Sequence, residues 1–459
     1  MNAPIPDSQH PEPFPLPRKA VAEPAEIVWW LRDSRKRLLE VCSGLTSEQM
    51  IGPHRATVNP ILWAMGHVAF FQEYWSWQHH FRQAPIRPDA DLLYNSFEVE
   101  HATRWQLPLP NPEETRAYLD EVHERLIERI NSTDPSQSST YFHRLTVLHE
   151  DMHAEAIAYD RNTLGYPAPP RHGAPVGSPS VATIGSAGSS WPGDVEVSGC
   201  RAFALGATPD QAFVWDNEKW AHPVRIAPFR IAKAPVTCGE FAEFVEAGGY
   251  RSERYWSAAA WRWLKGLGLE HPANWHKVQG GGWRFRQYDQ WNPVREHHPV
   301  SPISWHEARA YCAWAGRRLP SEAEWELAAA TAPEDMRPGH TIHKRRYPWG
   351  DAPANGSLAN LDARHAGTLP VSEMPDGDSA WGCRQMLGNV WEWTADAFYP
   401  YPGFVPDPYR EYSAPWFGYH KVLKGGAWMT RSRLVHTGWR NFFLPTRMDI
   451  PAGFRTCAL

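Results

Sequence analysis

The periodicity of the chain breaks at residue 165, and that break limits the fold more than any other feature. Before it, four segments repeat apolar residues at three- and four-residue steps: AEIVWWLRDSRKRLLEVCSGL (25–45), PILWAMGHVAFFQEYWSWQHHF (60–81), PEETRAYLDEVHERLIERI (112–130) and STYFHRLTVLHEDMHAEAIAYDRNTL (139–164). This is the pattern of helices with one buried face, and four of them joined by loops form a four-helix bundle. NPEE at 111–114 supplies an N-cap followed by Pro, a helix start. From 165 the chain reads GYPAPPRHGAPVGSPSVATIGSAGSSWPG, the composition of a linker or an irregular wrap. Beyond it the sequence is dense in Gly, Pro and Trp, with short strand-like pieces and two clear helices, CGEFAEFVEAGG (238–249) and SWHEARAYCAWAG (304–316). The expected chain is α+β: a disordered tail over 1–20, a bundle over 21–165, a linker over 166–195 and a second domain over 196–459.

Length and composition agree with two packed domains. The 459 residues exceed what one ordinary core holds, and 42% hydrophobic with 21% charged residues is a globular balance. The 25 Trp must be buried or wall pockets, since that much exposed aromatic surface would be adhesive. A net charge of −5 with no long basic run excludes a phosphate-tracking surface, so no nucleic acid partner is expected. The longest apolar run, ILWAMGHVAFF (61–71), is too short for a bilayer and is interrupted by His67. The Pro-rich N-terminus lacks the apolar core of a signal peptide, and the expected location is cytoplasmic. Six scattered cysteines without Cys-x-x-Cys spacing indicate neither a disulfide framework nor a thiolate zinc site.

The chemistry gathers on histidines. LHEDMHAE (148–155) holds His149 and His153 four apart, on one face of a helix, where both can bind one metal. Glu155 follows at a position from which a carboxylate could orient a ligand. His67 lies in an apolar helical segment where an unpartnered imidazole is costly, and a facing helix is where bundles find a third ligand. His79, His80 and His143 compete for that place. The pair is also a His-Glu-x-x-His match with Glu150 as a peptidase base, but AYDRNTLGYPAPP after it carries no further His ligand. Three neutral imidazoles leave a divalent metal its full charge and open positions, which suits an anionic thiolate or selenolate beside O2 more than hydrolysis.

In the second half, FVWDNEKWAHPV (213–224), FRIAKAPVTCGEFAEFVEAGGY (229–250), HPVSPISWHEARAYCAWAGRRLPSEAEWELAAA (298–330), GNVWEWTADAF (388–398), KGGAW (424–428) and GFRTCA (453–458) resemble the formylglycine-generating-enzyme fold, a C-type-lectin-like domain. Joined to a DinB-like bundle with His67, His149 and His153, the chain from about residue 21 is similar to the ergothioneine-biosynthesis sulfoxide synthase family. The resemblance implies Fe(II) on those three histidines, and hercynine joined at imidazole C2 to a sulfur donor with O2. It makes the His-Glu-x-x-His match incidental. No cysteine pair matches the copper ligands of formylglycine-generating enzymes, so that domain reads as a reused scaffold.

The family's hercynine-contacting stretch falls on Arg440-Asn441-Phe442, which implies Asn441 as a polar anchor and Phe442 as a ring near the trimethylammonium group. Other positions depart from the γ-glutamylcysteine-using members. Phe443 stands where they have an acid, Met152 where they have Gln, and Phe398 where their catalytic tyrosine aligns. Tyr399 is adjacent and Tyr401 matches a second family tyrosine, so these two are the expected proton or electron donors. Near LYNSFEVEHATRWQLPLP (93–110) only Arg104 could grip donor carboxylates. These departures fit the related selenoneine synthases, which take a neutral selenosugar. The alternative is an ergothioneine-type synthase using cysteine or γ-glutamylcysteine. A reading of another class, a lectin-like binding module, needs no metal.

Overall fold

The computed structural model describes residues 24–133, 140–170, 193–337, 340 and 342–459. The expected tail and most of the expected linker fall outside the described residues. In the N-terminal half, α1 (Pro24–Cys42), α2 (Ser47–Ile51), α3 (Ile61–Gln72), α4 (Ala90–Tyr94), α5 (Pro112–Ser132) and α6 (Tyr141–Leu164) build the bundle. α1 packs on α6, α3 on both α5 and α6, and α1 on α5, so the four long helices form the bundle and the two short ones join them. The start of α5 is a capping box. Asn111 accepts from the Glu114 amide at 2.9 Å, Glu114 accepts from the Asn111 amide at 3.0 Å, and Pro112 occupies the first turn.

All twelve residues of α3 are buried, including His67, as befits a helix that is apolar on every side. The segment 60–81 reads as one helix in the sequence, but after Gln72 it widens into a π-helical turn, Glu73–His80. There the fully buried Glu73 carboxylate collects the Tyr118 hydroxyl at 2.5 Å, Gln78 Nε2 at 2.8 Å and the Ile86 amide at 2.8 Å. Buried charge needs such partners.

Among the described residues the C-terminal half carries four α-helices where the sequence pattern shows two: α7 (Cys238–Glu246), α8 (Ala258–Leu267), α9 (Trp305–Ala315) and α10 (Glu322–Ala330). α8 and α10 are only nine or ten residues long, and α10 starts from a Ser321–Glu324 capping box. One sheet orders Asp194–Val197, Phe229–Ala232, Cys457–Ala458 and Arg317–Arg318; a second orders Asn441–Phe443, Lys421–Lys424, Trp391–Ala397 and Ala452–Gly453. The chain's last strand thus pairs with one of its first. No helix among the described residues is long and apolar enough to cross a membrane.

One core cluster spans the two halves. Phe71, Trp75, Leu145 and Leu148 of the bundle cluster with Trp215, Trp391, Trp393 and Trp439 of the second half. Polar contacts fix their register: Arg433 holds Asp151 through Nε at 2.5 Å and Nη2 at 2.9 Å, and the Tyr288 amide donates to Asn162 Oδ1 at 2.6 Å.

Candidate metal centre

α3 brings His67, and α6 brings His149 and His153, to one point: one ring nitrogen of each lies within 4.8 Å of the others. Ring centroids are 5.1 Å apart for His67–His149, 4.9 Å for His67–His153 and 4.4 Å for the pair on α6. His67 Nδ1 is 2.8 Å from the Tyr94 carbonyl. A carbonyl only accepts, so Nδ1 carries the proton and Nε2 keeps its lone pair. Trp63 stacks on the His67 ring at 4.9 Å, and Phe71 on the His149 ring at 3.5 Å. His149 Nδ1 is buried with no hydrogen-bond partner.

Burial, the largest cause, pushes His67 down to about 4; its Tyr94 bond opposes this and Arg104 adds to it. Burial and the neighbouring imidazoles hold His149 well below the usual range; burial, His67 and Arg104 do the same to His153. All three are therefore neutral near pH 7, the form that donates a lone pair to a metal. An imidazole triad with an unsatisfied buried nitrogen fits a borderline divalent ion such as ferrous iron.

The neighbouring carboxylates face elsewhere. Glu150 takes Arg35 Nε at 2.8 Å and Gln72 Nε2 at 2.6 Å, so it is locked inside the bundle and is no peptidase base. Glu155 accepts the Trp391 indole at 2.8 Å. The expectation that Glu155 orients a metal ligand is corrected: two residues past His153 it turns toward the second half. His79, His80 and His143 form a separate group, with His80 and His143 rings 5.0 Å apart and His143 Nδ1 3.2 Å from Ser76 Oγ. A cavity of about 600 Å³ between α1 and the Gln287–Asn292 and Asp362–Ala366 segments is lined by none of the three histidines.

An aromatic row leads from the triad into the second half. Tyr409 lies 4.9 Å from Phe71 and 6.3 Å from His149; Tyr412 follows at 6.0 Å from Tyr409, and Phe442 at 5.8 Å from Tyr412. Phe398 stacks on Phe442 at 4.1 Å, and the Tyr412 hydroxyl reaches Met152 Sδ at 3.9 Å. Met152, Phe398 and Phe442 are thus brought to one wall. Asn441 stands beside it with Oδ1 accepting from the Phe442 amide at 2.8 Å, and Phe443 lies under the Arg447 guanidinium at 5.1 Å.

The tyrosines differ from expectation. Tyr401 is buried elsewhere, its hydroxyl donating to Glu322 at 2.9 Å and its ring beneath Arg440 at 4.0 Å, while Tyr399 is 58% exposed. The loop that follows them folds back, so it is Tyr409 and Tyr412 that reach the histidine side. Only their three-residue spacing, which puts both rings on one side of a tight turn, hinted at this in the sequence. Arg104 is also spoken for. It donates to Asn59 Oδ1 at 2.7 Å and to the Ser96 and Val99 carbonyls, and covers the Trp63 ring at 3.8 Å.

Fold and site together define a two-module protein in which a bundle-borne histidine centre is walled by a lectin-like aromatic domain. Residues 31–157 match the DinB superfamily, and residues 186–458 match the sulfatase-modifying factor enzyme 1-like domain. The chain is 34% identical to the hercynine oxygenase of Mycolicibacterium thermoresistibile over 450 residues, 95% of each chain. It is 33% identical to that of Mycobacterium tuberculosis, over 95% of this chain and 99% of that one. The formylglycine-generating enzyme of Streptomyces coelicolor is 34% identical over 50% of this chain and 76% of its own. The chain belongs to the ergothioneine-biosynthesis sulfoxide synthase family, to which the hercynine oxygenases belong.

Proposed function

We propose that the chain is a cytoplasmic, nonheme Fe(II), O2-dependent enzyme that forms a carbon–selenium bond at imidazole C2 of hercynine, with a selenosugar as donor. The observation that carries the reading is the triad of buried, neutral His67, His149 and His153 beside Tyr409, from which the row runs on to Tyr412 and Phe442. Ferrous iron held there would supply O2 activation and a site for the anionic chalcogen. The chain's own residues do the rest. Phe442 and Tyr412 offer ring faces to the trimethylammonium group, and Asn441 contacts the polar end of hercynine. The Tyr412 hydroxyl, with Tyr409 beside it, moves a proton between the wall and the substrate.

The donor preference rests on the guanidinium groups. Arg104 already donates through both terminal nitrogens, to Asn59 Oδ1 and to the Ser96 and Val99 carbonyls, and Arg447, over Phe443, is paired with Asp449 at 2.5 Å. A donor with several carboxylates needs free bidentate partners, whereas a neutral polyol does not. Anaerobic Fe(II) loading followed by air, hercynine and competing donors, with mass spectrometry of the products, tests both parts. A selenium adduct of hercynine is expected. A sulfur adduct from cysteine or γ-glutamylcysteine would keep the site and overturn the donor, and no adduct with any donor would leave a binding module.

A further inference from the structure

The loop that carries Tyr409 and Tyr412 is fastened at both ends by one short segment of the second half, residues 215–219, which include the single turn Asp216–Glu218. At the near end, Lys219 Nζ donates to both Asp407 oxygens, at 2.6 and 2.7 Å. At the far end, Ser413 Oγ donates to Asp216 Oδ1 at 2.5 Å and accepts from Asn217 Nδ2 at 3.0 Å. Between the two, Trp215 stacks on the Tyr412 ring at 4.1 Å. The segment also reaches the strand of Asn441 and Phe442, because Arg440, directly before it, donates from Nη1 to the Asn217 carbonyl at 2.6 Å.

Asp407 has a second tie. The Tyr141 hydroxyl donates to its Oδ2 at 2.7 Å, and Tyr141 is the first residue of α6, the helix of His149 and His153. Burial, then the Asp407 carboxylate, holds that hydroxyl well above its ordinary value, so it stays a donor at working pH. A carboxylate that takes an ammonium from one element and a phenol from another is a stiff joint, since charge-assisted bonds are short and strong. Lys219 and Asp407, with 17% and 18% of their side-chain surface exposed, are shielded from most of the water that weakens surface pairs. Two residues past this joint, Tyr409 stands 4.9 Å from Phe71 and 6.3 Å from His149.

We propose that Asp407 is a positioning residue: it holds the loop of Tyr409 and Tyr412 against α6 and so sets the distance of those rings from the histidine centre. The inference rests on the reading that this row faces the reacting substrate. Without the joint, Ser413 still fastens the far end, so the loop stays attached while its near end leaves α6. Reaction geometry tolerates little of that, a misplacement of about 1 Å being enough to cost about a hundredfold in rate. The histidines stay in place, because Arg433 on Asp151 and Trp391 on Glu155 clamp their helix independently. Metal binding and tyrosine placement are therefore separable.

The test is Asp407→Asn in the full chain, with Tyr141→Phe beside it, read in two ways. In metal-free protein, hydrogen exchange is followed by mass spectrometry over residues 408–412, which include the Tyr412 amide bonded to the Tyr409 carbonyl at 3.2 Å. Exchange there should quicken at least about tenfold in both variants, while the peptide of His149 and His153 exchanges as in the wild type. In the Fe(II)-loaded enzyme with the donor that the wild type accepts, both variants should keep stoichiometric iron. They should lose at least about tenfold in kcat, with hercynine KM kept and less product formed per O2 consumed. Wild-type exchange over 408–412, or wild-type kcat at full iron content, overturns the proposal, and so does a loss of kcat that only follows a loss of iron. If the wild type turns over no donor, the proposed function fails, and the exchange measurement alone upholds or overturns the joint. Should Asp407→Asn not fold, Tyr141→Phe, which leaves the Lys219 pair in place, carries the test. Faster loop exchange with slower turnover upholds the joint, and unchanged values of either overturn it.

Discussion

The Trp391 indole donates to Glu155 Oε1 across 2.8 Å, joining a central strand of the second half to α6 two residues beyond His153. One turn earlier on the same helix, Asp151 is held by both Arg433 nitrogens. The helix that carries two of the three candidate ligands is therefore clamped from outside the bundle. The histidine geometry depends on how the modules dock.

Arg433→Met tests the clamp. Asp151 is fully buried, and removing one partner of a buried pair costs about 3–5 kcal/mol. The expected result is a lower denaturation midpoint together with weaker metal retention. A midpoint and a metal content both equal to wild type would show that the modules dock without this pair.

Metal content separates the two groups of histidines. His149→Ala should abolish stoichiometric iron, while His80→Ala, in the group with His143, should leave it intact. Chelation should lower the melting temperature, because an ion that binds only the folded chain adds about 2.7 kcal/mol at a hundredfold excess over Kd. Equal metal loss in both variants would dissolve the distinction.

Much of this was legible in the sequence, and the remainder failed for physical reasons. His67, His149 and His153 could be read because helical spacing fixes which side chains share a face. The place of Phe442 beside Phe398 and Tyr412 followed from the motif resemblance, because a motif in a short strand keeps its register. Tyr409 and Tyr412 offered only their three-residue spacing, because a long loop has no period and its return path depends on tertiary contacts with Trp215 and Ser413. Glu155 misled because spacing gives its direction from the helix and not the partner waiting there. That Arg104 is already taken could not be read, because a sequence shows the guanidinium without the three bonds that occupy it.

The tyrosines give a paired prediction. Tyr412→Phe should lower kcat by about a hundredfold with little change in stability, as expected for loss of a proton-transfer group. Tyr401→Phe should do the reverse, removing one partner of buried Glu322 and costing about 1–3 kcal/mol while kcat holds. Steady-state kinetics and melting curves on the two proteins decide it. A kinetic defect in Tyr401→Phe with none in Tyr412→Phe would return the role to the position expected from sequence.

Burial makes the Glu218 carboxyl, in the single turn Asp216–Glu218, a source of pH-dependent stability. Its folded value of about 8 lies above the ordinary 4.5, so the folded state binds this proton more tightly than the unfolded chain does. The stabilisation is fully present below 4.5 and is lost as pH rises through about 8. Wild-type melting temperature should therefore decline across that window, and Glu218→Gln, which keeps the shape without the titration, should decline less. Melting curves of metal-free protein at a series of pH values isolate the effect from catalysis. Parallel curves for the two proteins would mean that Glu218 is ionised in the folded chain and that the decline belongs to other groups.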